Sequence, residues 1–254
     1  MNRYVVADLH GQLDLLNQII EYIDEDDIVY ALGDFGDRGN EPWVTLRSVL
    51  DDEQFVYLMG NHDLLLINAI EEYYNILATE GRCDIIRCTR NSRGAIPLLG
   101  INGGINTLQG WAAEPEPERE KYYRKLKQLP LEIRLAAQDV KHFIYLTHAG
   151  YSPHLYNAND VKDLLWDRQH FYDKSDEDSL LFHGHTPVEV LVRWLDDRQL
   201  PYDCSNGCCV YSGGSKICVD MGSYFTKQTV LVNIDTLESK IFSIKEDIDG
   251  AEKN

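Results

Sequence analysis

Five times between residues 4 and 186 a short apolar run breaks off into a polar turn containing glycine. Tyr4–Ala7 leads into Asp8-Leu9-His10-Gly11, Ile28–Leu32 into Gly33-Asp34, and Phe55–Met59 into Gly60-Asn61-His62-Asp63. Further on, Phe143–Leu146 leads into Thr147-His148-Ala149-Gly150, and Leu180–Phe182 into His183-Gly184-His185-Thr186. Short runs rich in Val, Ile, Tyr and Phe with no polar alternation read as strands buried on both faces. Helical patterns follow the first three. Leu13, Leu16, Ile20 and Ile23 share one helix face. Pro42 suits a first helical turn, with Trp43, Leu46, Val49 and Leu50 inward, and Leu64–Leu77 forms a third, apolar helix. Strand–helix–strand order predicts an α/β fold with a largely parallel core. Such sheets bind ligands beyond the carboxyl ends of their strands, which is where every Asp, Asn and His of the five turns falls.

The 254 residues suit a single domain over 1–245, with a helical and loop insertion at about 79–140 and a polar tail at 246–254. The insertion contains Asn102-Gly103-Gly104, Glu114-Pro115-Glu116-Pro117 and a charged helical stretch to about Leu129. Residues 187–245 read as mostly extended, through Val188–Leu195, Cys209–Tyr211, Lys216–Asp220, Thr229–Ile234 and Lys240–Ile244. Turns at Gly207 and Gly213-Gly214 separate them, which predicts a second sheet formed late in the chain. Six cysteines with irregular spacing are expected as free thiols rather than disulfides or a zinc site.

The net charge of −18 repels a phosphate backbone and excludes general nucleic-acid binding. It leaves room for a small phosphorylated substrate, because bound cations invert the local field. No apolar stretch approaches the ~18–20 residues that cross a bilayer. The N-terminus has no long apolar h-region, so no secretory signal and a cytoplasmic location are expected.

The strand ends gather carboxylate, amide and imidazole donors. Asp8, His10, Asp34, Asn61, His148 and His185 form a two-metal donor set without a thiolate. Asp8 and His10, at i and i+2, reach one ion from an extended turn, and a carboxylate such as Asp34 bridges two. Each of these residues alone reads as an ordinary turn, cap or satisfied polar group; six at separate strand ends do not.

The segments DLHG (8–11), GDFGDRG (33–39), GNHD (60–63), HAG (148–150) and GHT (184–186) resemble, in order, the signature of the calcineurin-like metallophosphoesterases. GDFGDRG is similar to the phosphoprotein phosphatase version. Asn102-Gly103-Gly104, Leu165-Trp166-Asp167-Arg168 and Gly184-His185-Thr186-Pro187 resemble the small bacterial and bacteriophage Ser/Thr protein phosphatases. The resemblance implies a four-layer α/β/β/α sandwich of two mixed sheets flanked by helices. It implies two divalent ions, with manganese expected and iron or zinc also compatible. It further implies that Asp8 and His10 bind the first ion, that Asp34 bridges, and that Asn61, His148 and His185 complete the second. His62 becomes the general acid, oriented by Asp37. Arg38 and Arg168 grip the phosphate, helped by Asn61 and His62.

Asp63 stands where relatives carry Glu, and Met59 where some carry Arg. His183 competes with His185, and the Gly-His-Thr position favours His185. The implied chemistry is in-line attack by a hydroxide shared between the ions. The expected activity is that of a Ser/Thr, and also Tyr, phosphoprotein phosphatase. The alternative is a symmetrical dinucleoside tetraphosphate hydrolase or another nucleotide phosphohydrolase, with Arg82, Arg87, Arg90, Arg93, Tyr122 and Tyr123 of the insertion as its candidate contacts. The third reading is a phosphate-binding scaffold without catalysis.

Overall fold

The computed structural model describes residues 1–91, 93–136, 143–150, 161–172 and 179–244. The tail at 246–254, His142 and His154 lie outside the described residues. In chain order the elements are β1 (Arg3–Val6), α1 (Leu13–Tyr22), β2 (Ile28–Ala31), α2 (Pro42–Asp51), β3 (Phe55–Tyr57) and α3 (Asn61–Glu80). Four helices follow: α4 (Ile85–Cys88), α5 (Ala95–Ile101), α6 (Ile105–Ala113) and α7 (Glu116–Lys127). Then come β4 (Glu132–Ala136), β5 (Phe143–Thr147), α8 (Val161–Trp166), β6 (Ser179–His183), α9 (Val188–Asp197), β7 (Tyr202–Asp203), β8 (Cys209–Tyr211) and β9 (Lys216–Cys218). The chain closes with α10 (Ser223–Thr226), β10 (Gln228–Asn233) and β11 (Ser239–Ser243).

The strands form two mixed sheets, ordered β11-β10-β1-β2-β3 and β4-β5-β6-β9-β8-β7. Each has a parallel trio, β1-β2-β3 and β5-β6-β9, extended by antiparallel strands. The period-2 alternation of the strands divides the core into layers. Val5 and Ala7, with Val230 and Val232 of the neighbouring β10, face the second sheet and pack with its Ile144, Leu146, Phe182 and Ile217. Val6 and Leu231 point the other way, into a cluster with Leu15, Leu16 and Ile19 of α1, Leu46 of α2 and Leu66 of α3. On the far side, Cys209, Tyr211 and Cys218 pack against Leu191 and Leu195 of α9. Each such fully buried Val or Leu contributes roughly 1.5–3 kcal/mol. The result is two sheets face to face with helices on both outer surfaces.

The structure departs from the sequence reading in four places. Val188–Leu195 is not extended but helical, as α9. Val188, Val190 and Val192 alternate like a strand, yet Leu191 and Leu195, four apart, drive the packing, and Pro187 pre-sets the entry. The late strands do not form a sheet of their own: β10 and β11 join β1, while β7, β8 and β9 join β6. Residues 132–136, placed in the insertion, form β4 at the edge of the second sheet. The inward face of α1 is also rotated: Leu15, Leu16 and Ile19 are buried, and Ile20 is 37% exposed. All six cysteines are free thiols.

Candidate active site

At the carboxyl ends of both parallel trios the backbone turns sharply. Asp8, His10, Asp34, Asp37, Arg38 and His185 all have positive φ, between 45° and 65°. They make up six of the ten described non-glycine residues in that region. L-residues held there cost of order 1–3 kcal/mol each, and such strain gathers at functional sites. Here it swings the side chains out of the strand direction and into one cavity. Backbone bonds lace the turns together: His10 N–H donates to Asp34 O (3.0 Å), Gly11 N–H to Phe35 O (2.8 Å) and Gly39 N–H to His10 O (3.0 Å). Two glycines are required by close approach rather than by φ. A Cβ on Gly60 would lie 2.1 Å from Asp34 Oδ1, and one on Gly184 2.1 Å from Asp8 Oδ2.

Asp34 stands at the centre. Its Oδ2 is 3.5 Å from His148 Nε2 and 4.0 Å from both His10 Nε2 and His62 Nε2. Its Oδ1 accepts from His62 N–H (2.9 Å) in the first turn of α3. Two clusters of convergent donors share it, His10–Asp34–His62 and Asp34–His148–His185. Asn61 Oδ1 joins the second, 2.9 Å from His148 Nε2 and 3.0 Å from His185 Nδ1. Asp8 lies behind, its Oδ2 accepting from His185 N–H (3.0 Å). Of the six expected metal donors, His10, Asp34, His148 and His185 thus fall in the two clusters and Asn61 beside the second, while Asp8 falls in neither. His183 Nε2 is engaged by the Tyr211 hydroxyl (2.8 Å) and lies outside the clusters.

The tautomers test whether cations fit. His148 Nδ1–H donates to Leu32 O (2.7 Å), and His10 Nδ1–H to Gly36 O (3.2 Å). A carbonyl only accepts, so each ring keeps its Nε2 lone pair for the cavity, the arrangement that orients imidazole ligands. Burial lowers the pKa of both rings, His10 to about 3, and keeps them neutral. The His148 lone pair therefore faces Asn61 Oδ1 and Asp34 Oδ2 with no proton between them, and His185 Nε2 is buried without a partner. A bound cation would reconcile these acceptors aimed at one another.

The carboxylates say the same. Burial, then Asp220 and Asp34, raise Asp8 well above its ordinary value. Burial and the charge on Asp34 push Asp63 and Asp220 up to about 7. Burial works on Asp34 too, but His148, His62, His10 and His185 outweigh it and hold it below the usual range. Four carboxylates 1–2% exposed, Asp34 and Asp220 in the cavity wall and Asp8 and Asp63 buried close by, repel one another unless cations intervene. A divalent cation at 100 times its dissociation constant should therefore raise Tm by about 5–10 °C, from ~2.7 kcal/mol of linked binding. Thermal unfolding with and without chelator measures this; an unchanged Tm would argue against the donor set.

Beside the clusters, His62 Nδ1 pairs with Asp37 Oδ2 (2.7 Å). Burial lowers the His62 pKa, but Asp34 and Asp37 more than reverse it, so the net shift is upward. Arg38 Nη1 donates to His10 Nε2 (3.0 Å) and Nη2 to His62 Nε2 (2.8 Å). Arg168 Nε donates to Thr186 Oγ1 (2.9 Å), with its guanidinium over the Trp194 ring. Asp167 does not pair with it. The Asp167 carboxylate accepts from the N–H groups of Gln169 and His170 and pairs with His170 Nδ1 (3.3 Å).

Several contributors were missed from sequence. Asp220 lines the cavity and accepts from Gly222 N–H (2.7 Å). It ends the Lys216–Asp220 run, the same strand-end signal as the other carboxylates. Thr107, on α6, accepts from Asp37 N–H (2.9 Å) and donates its hydroxyl to Asp37 Oδ1. Gly103 O accepts from Arg38 N–H (3.0 Å), and a Cβ on Gly104 would lie 2.6 Å from Asp37 Oδ2. The Asn-Gly-Gly stretch is thus the cradle of Asp37 and Arg38. Asp63 accepts from Gly60 N–H (2.8 Å) and Asp34 N–H (3.2 Å), while the Tyr57 hydroxyl (3.0 Å) fills in beside the shorter carboxylate. Tyr122 is buried against Asp51, Tyr123 bonds Glu71, and none of Arg82, Arg87, Arg90 and Arg93 lines this cavity.

The model of the calcineurin-like phosphoesterase family matches residues 1–222, most of the chain and all of this site. The chain belongs to that family. A calcineurin-like phosphoesterase hydrolyses phosphoric esters with a pair of metal ions, and the two clusters around Asp34 offer His and Asp donors for them. A relative, the symmetrical bis(5'-nucleosyl)-tetraphosphatase of Actinobacillus pleuropneumoniae serotype 3 (strain JL03), is 31% identical over 162 residues, 60% of this chain and 46% of its own. The chain spans about half the length of the curated relatives it matches. Among solved structures, one described as a candidate diadenosine tetraphosphatase superposes with a TM-score of 0.59 at 14% identity, covering 95% of this chain and 92% of that one. A Saccharomyces cerevisiae protein serine/threonine phosphatase gives 0.51 at 14%, covering 98% and 82%. These superpositions show the shared phosphoesterase fold.

Proposed function

We propose that residues 1–245 form one catalytic domain that hydrolyses dinucleoside tetraphosphates at the central anhydride, releasing two nucleoside diphosphates. What carries the choice of substrate is the relatives: those found by sequence bear the name of symmetrical bis(5'-nucleosyl)-tetraphosphatases. This replaces the phosphoprotein reading expected from the GDFGDRG segment. The insertion arginines named earlier as candidate contacts are not part of the proposal, because they do not line the cavity.

Two divalent ions, with manganese as the proposed pair, supply Lewis acidity when bound: they acidify water and withdraw charge from phosphate oxygens. Asp8 and His10 would hold the first, Asn61, His148 and His185 the second, and Asp34 would serve both. Arg38 and Arg168 take the non-bridging oxygens, with Asn61 and His62 beside them. His62 delivers a proton from Nε2 to the departing oxygen while Asp37 holds Nδ1–H. Arg38 Nη2 donates to that same Nε2 in the structure, so it must leave before the ring carries a proton there. Phosphate oxygens are the acceptors that draw it away, which couples substrate arrival to arming of the acid.

The test is hydrolysis of a dinucleoside tetraphosphate beside a phosphopeptide and p-nitrophenyl phosphate, with Mn2+ and with chelator. The dinucleotide is expected to lead in kcat/KM by about tenfold or more, and chelator to abolish all three activities. A phosphopeptide that outruns the dinucleotide would return the protein to the phosphatase reading.

A further inference from the structure

The phosphate chemistry leaves one part of the cavity unused: its aromatic rim. The cavity, of about 230 Å³, is lined at its mouth by Trp166, Pro187, Tyr224 and Phe225. Phe225 is 76% exposed, although a phenyl ring held in water gains nothing for the fold. Its backbone is nevertheless held firmly. The turn α10 lies between Gly222 (φ 67°) and Lys227 (φ 55°), both left-handed. Gly222 N–H is anchored on Asp220 Oδ1, the carboxylate that shares the cavity with the metal donors. The Tyr224 ring supports Phe225 edge-on, with centroids 4.9 Å apart and planes at 73°. Lys227 Nζ lies 5.2 Å from the Tyr224 centroid and donates to Tyr224 O (3.0 Å).

We infer that Phe225, braced by Tyr224, is a stacking platform for the nucleobase carried by the polyphosphate chain. The inference rests on the dinucleotide reading above. A base presents a π-face whatever its identity, so an exposed ring on a fixed turn binds it without base-specific hydrogen bonds. An uncharged planar group is also the part of such a substrate least opposed by a net charge of −18. Among the described residues the insertion adds only Asn102 to the cavity lining, so the rim is the described apolar surface open to the non-phosphate moiety.

The experiment is calorimetric titration of the Mn2+-loaded protein with adenosine diphosphate and with pyrophosphate, for wild type, Phe225→Ala and Phe225→Trp. Phe225→Ala should weaken adenosine diphosphate about tenfold and leave pyrophosphate unchanged, while Phe225→Trp keeps the wild-type affinity. Unchanged adenosine diphosphate binding in Phe225→Ala, or equal weakening of both ligands, overturns the platform. Wild-type turnover of the dinucleotide separates the two claims. A wild type that cleaves it while Phe225→Ala binds normally loses the platform alone; a wild type that does not cleave it loses both.

Discussion

His62→Asn is expected to lower kcat on an alkyl phosphomonoester by about 10³–10⁴-fold while both metal ions stay bound. The size follows from the leaving group. A departing alkoxide is a strong base and needs a proton in the transition state, and His62 is the cavity imidazole paired with Asp37. With a phosphoanhydride the departing group is a weak base, so the loss should shrink to about 10²-fold. Steady-state rates on both substrate types, with metal content measured by elemental analysis, decide the matter. Equal losses on both, accompanied by loss of an ion, would make His62 a ligand. That outcome has a structural basis, since His62 Nε2 lies 4.0 Å from Asp34 Oδ2, as does His10 Nε2.

Asp34→Asn should be at least as damaging, with turnover reduced on the order of 10³-fold or more and bound metal falling from two ions to one or none. The amide keeps an oxygen for the His62 N–H and so preserves the start of α3. Its other end, however, replaces a carboxylate oxygen by an NH2 aimed at the lone pairs of His148 and His10. One substitution removes the shared charge and fills the shared position. Two ions retained per chain would show that Asp34 does not bridge.

How much of this could be read from the sequence depends on range. The punctuated strands were legible because an apolar run followed by a glycine turn is a local signal, and it placed the candidate donors at the strand ends. The α9 helix was not, because Val188, Val190 and Val192 imitate a strand and the deciding contacts, Leu191 and Leu195 against Phe171 and Tyr211, come from elsewhere in the chain. The insertion of β10 between β1 and β11 is a long-range pairing with no local mark. Thr107 escaped because a threonine inside a helix looks unremarkable until Asp37, 70 residues earlier, is seen to need it. The left-handed conformations of Asp8, His10, Asp34 and His185 carry only a weak sequence signature, since Asp and His are enriched in that region but mostly adopt other conformations.

The position of β1 has a consequence for how the protein is made. This strand, which delivers Asp8 and His10, lies between β2 on one edge and β10 on the other. Its second neighbour begins at Gln228. Ribosomes add about 5–20 residues per second, so roughly 10–45 s pass between synthesis of Asp8 and of the strand that shields it. His148, His185 and Asp220 emerge within the same interval. A nascent chain therefore carries Asp8 and His10 beside a strand edge that stays unpaired until β10 has been made.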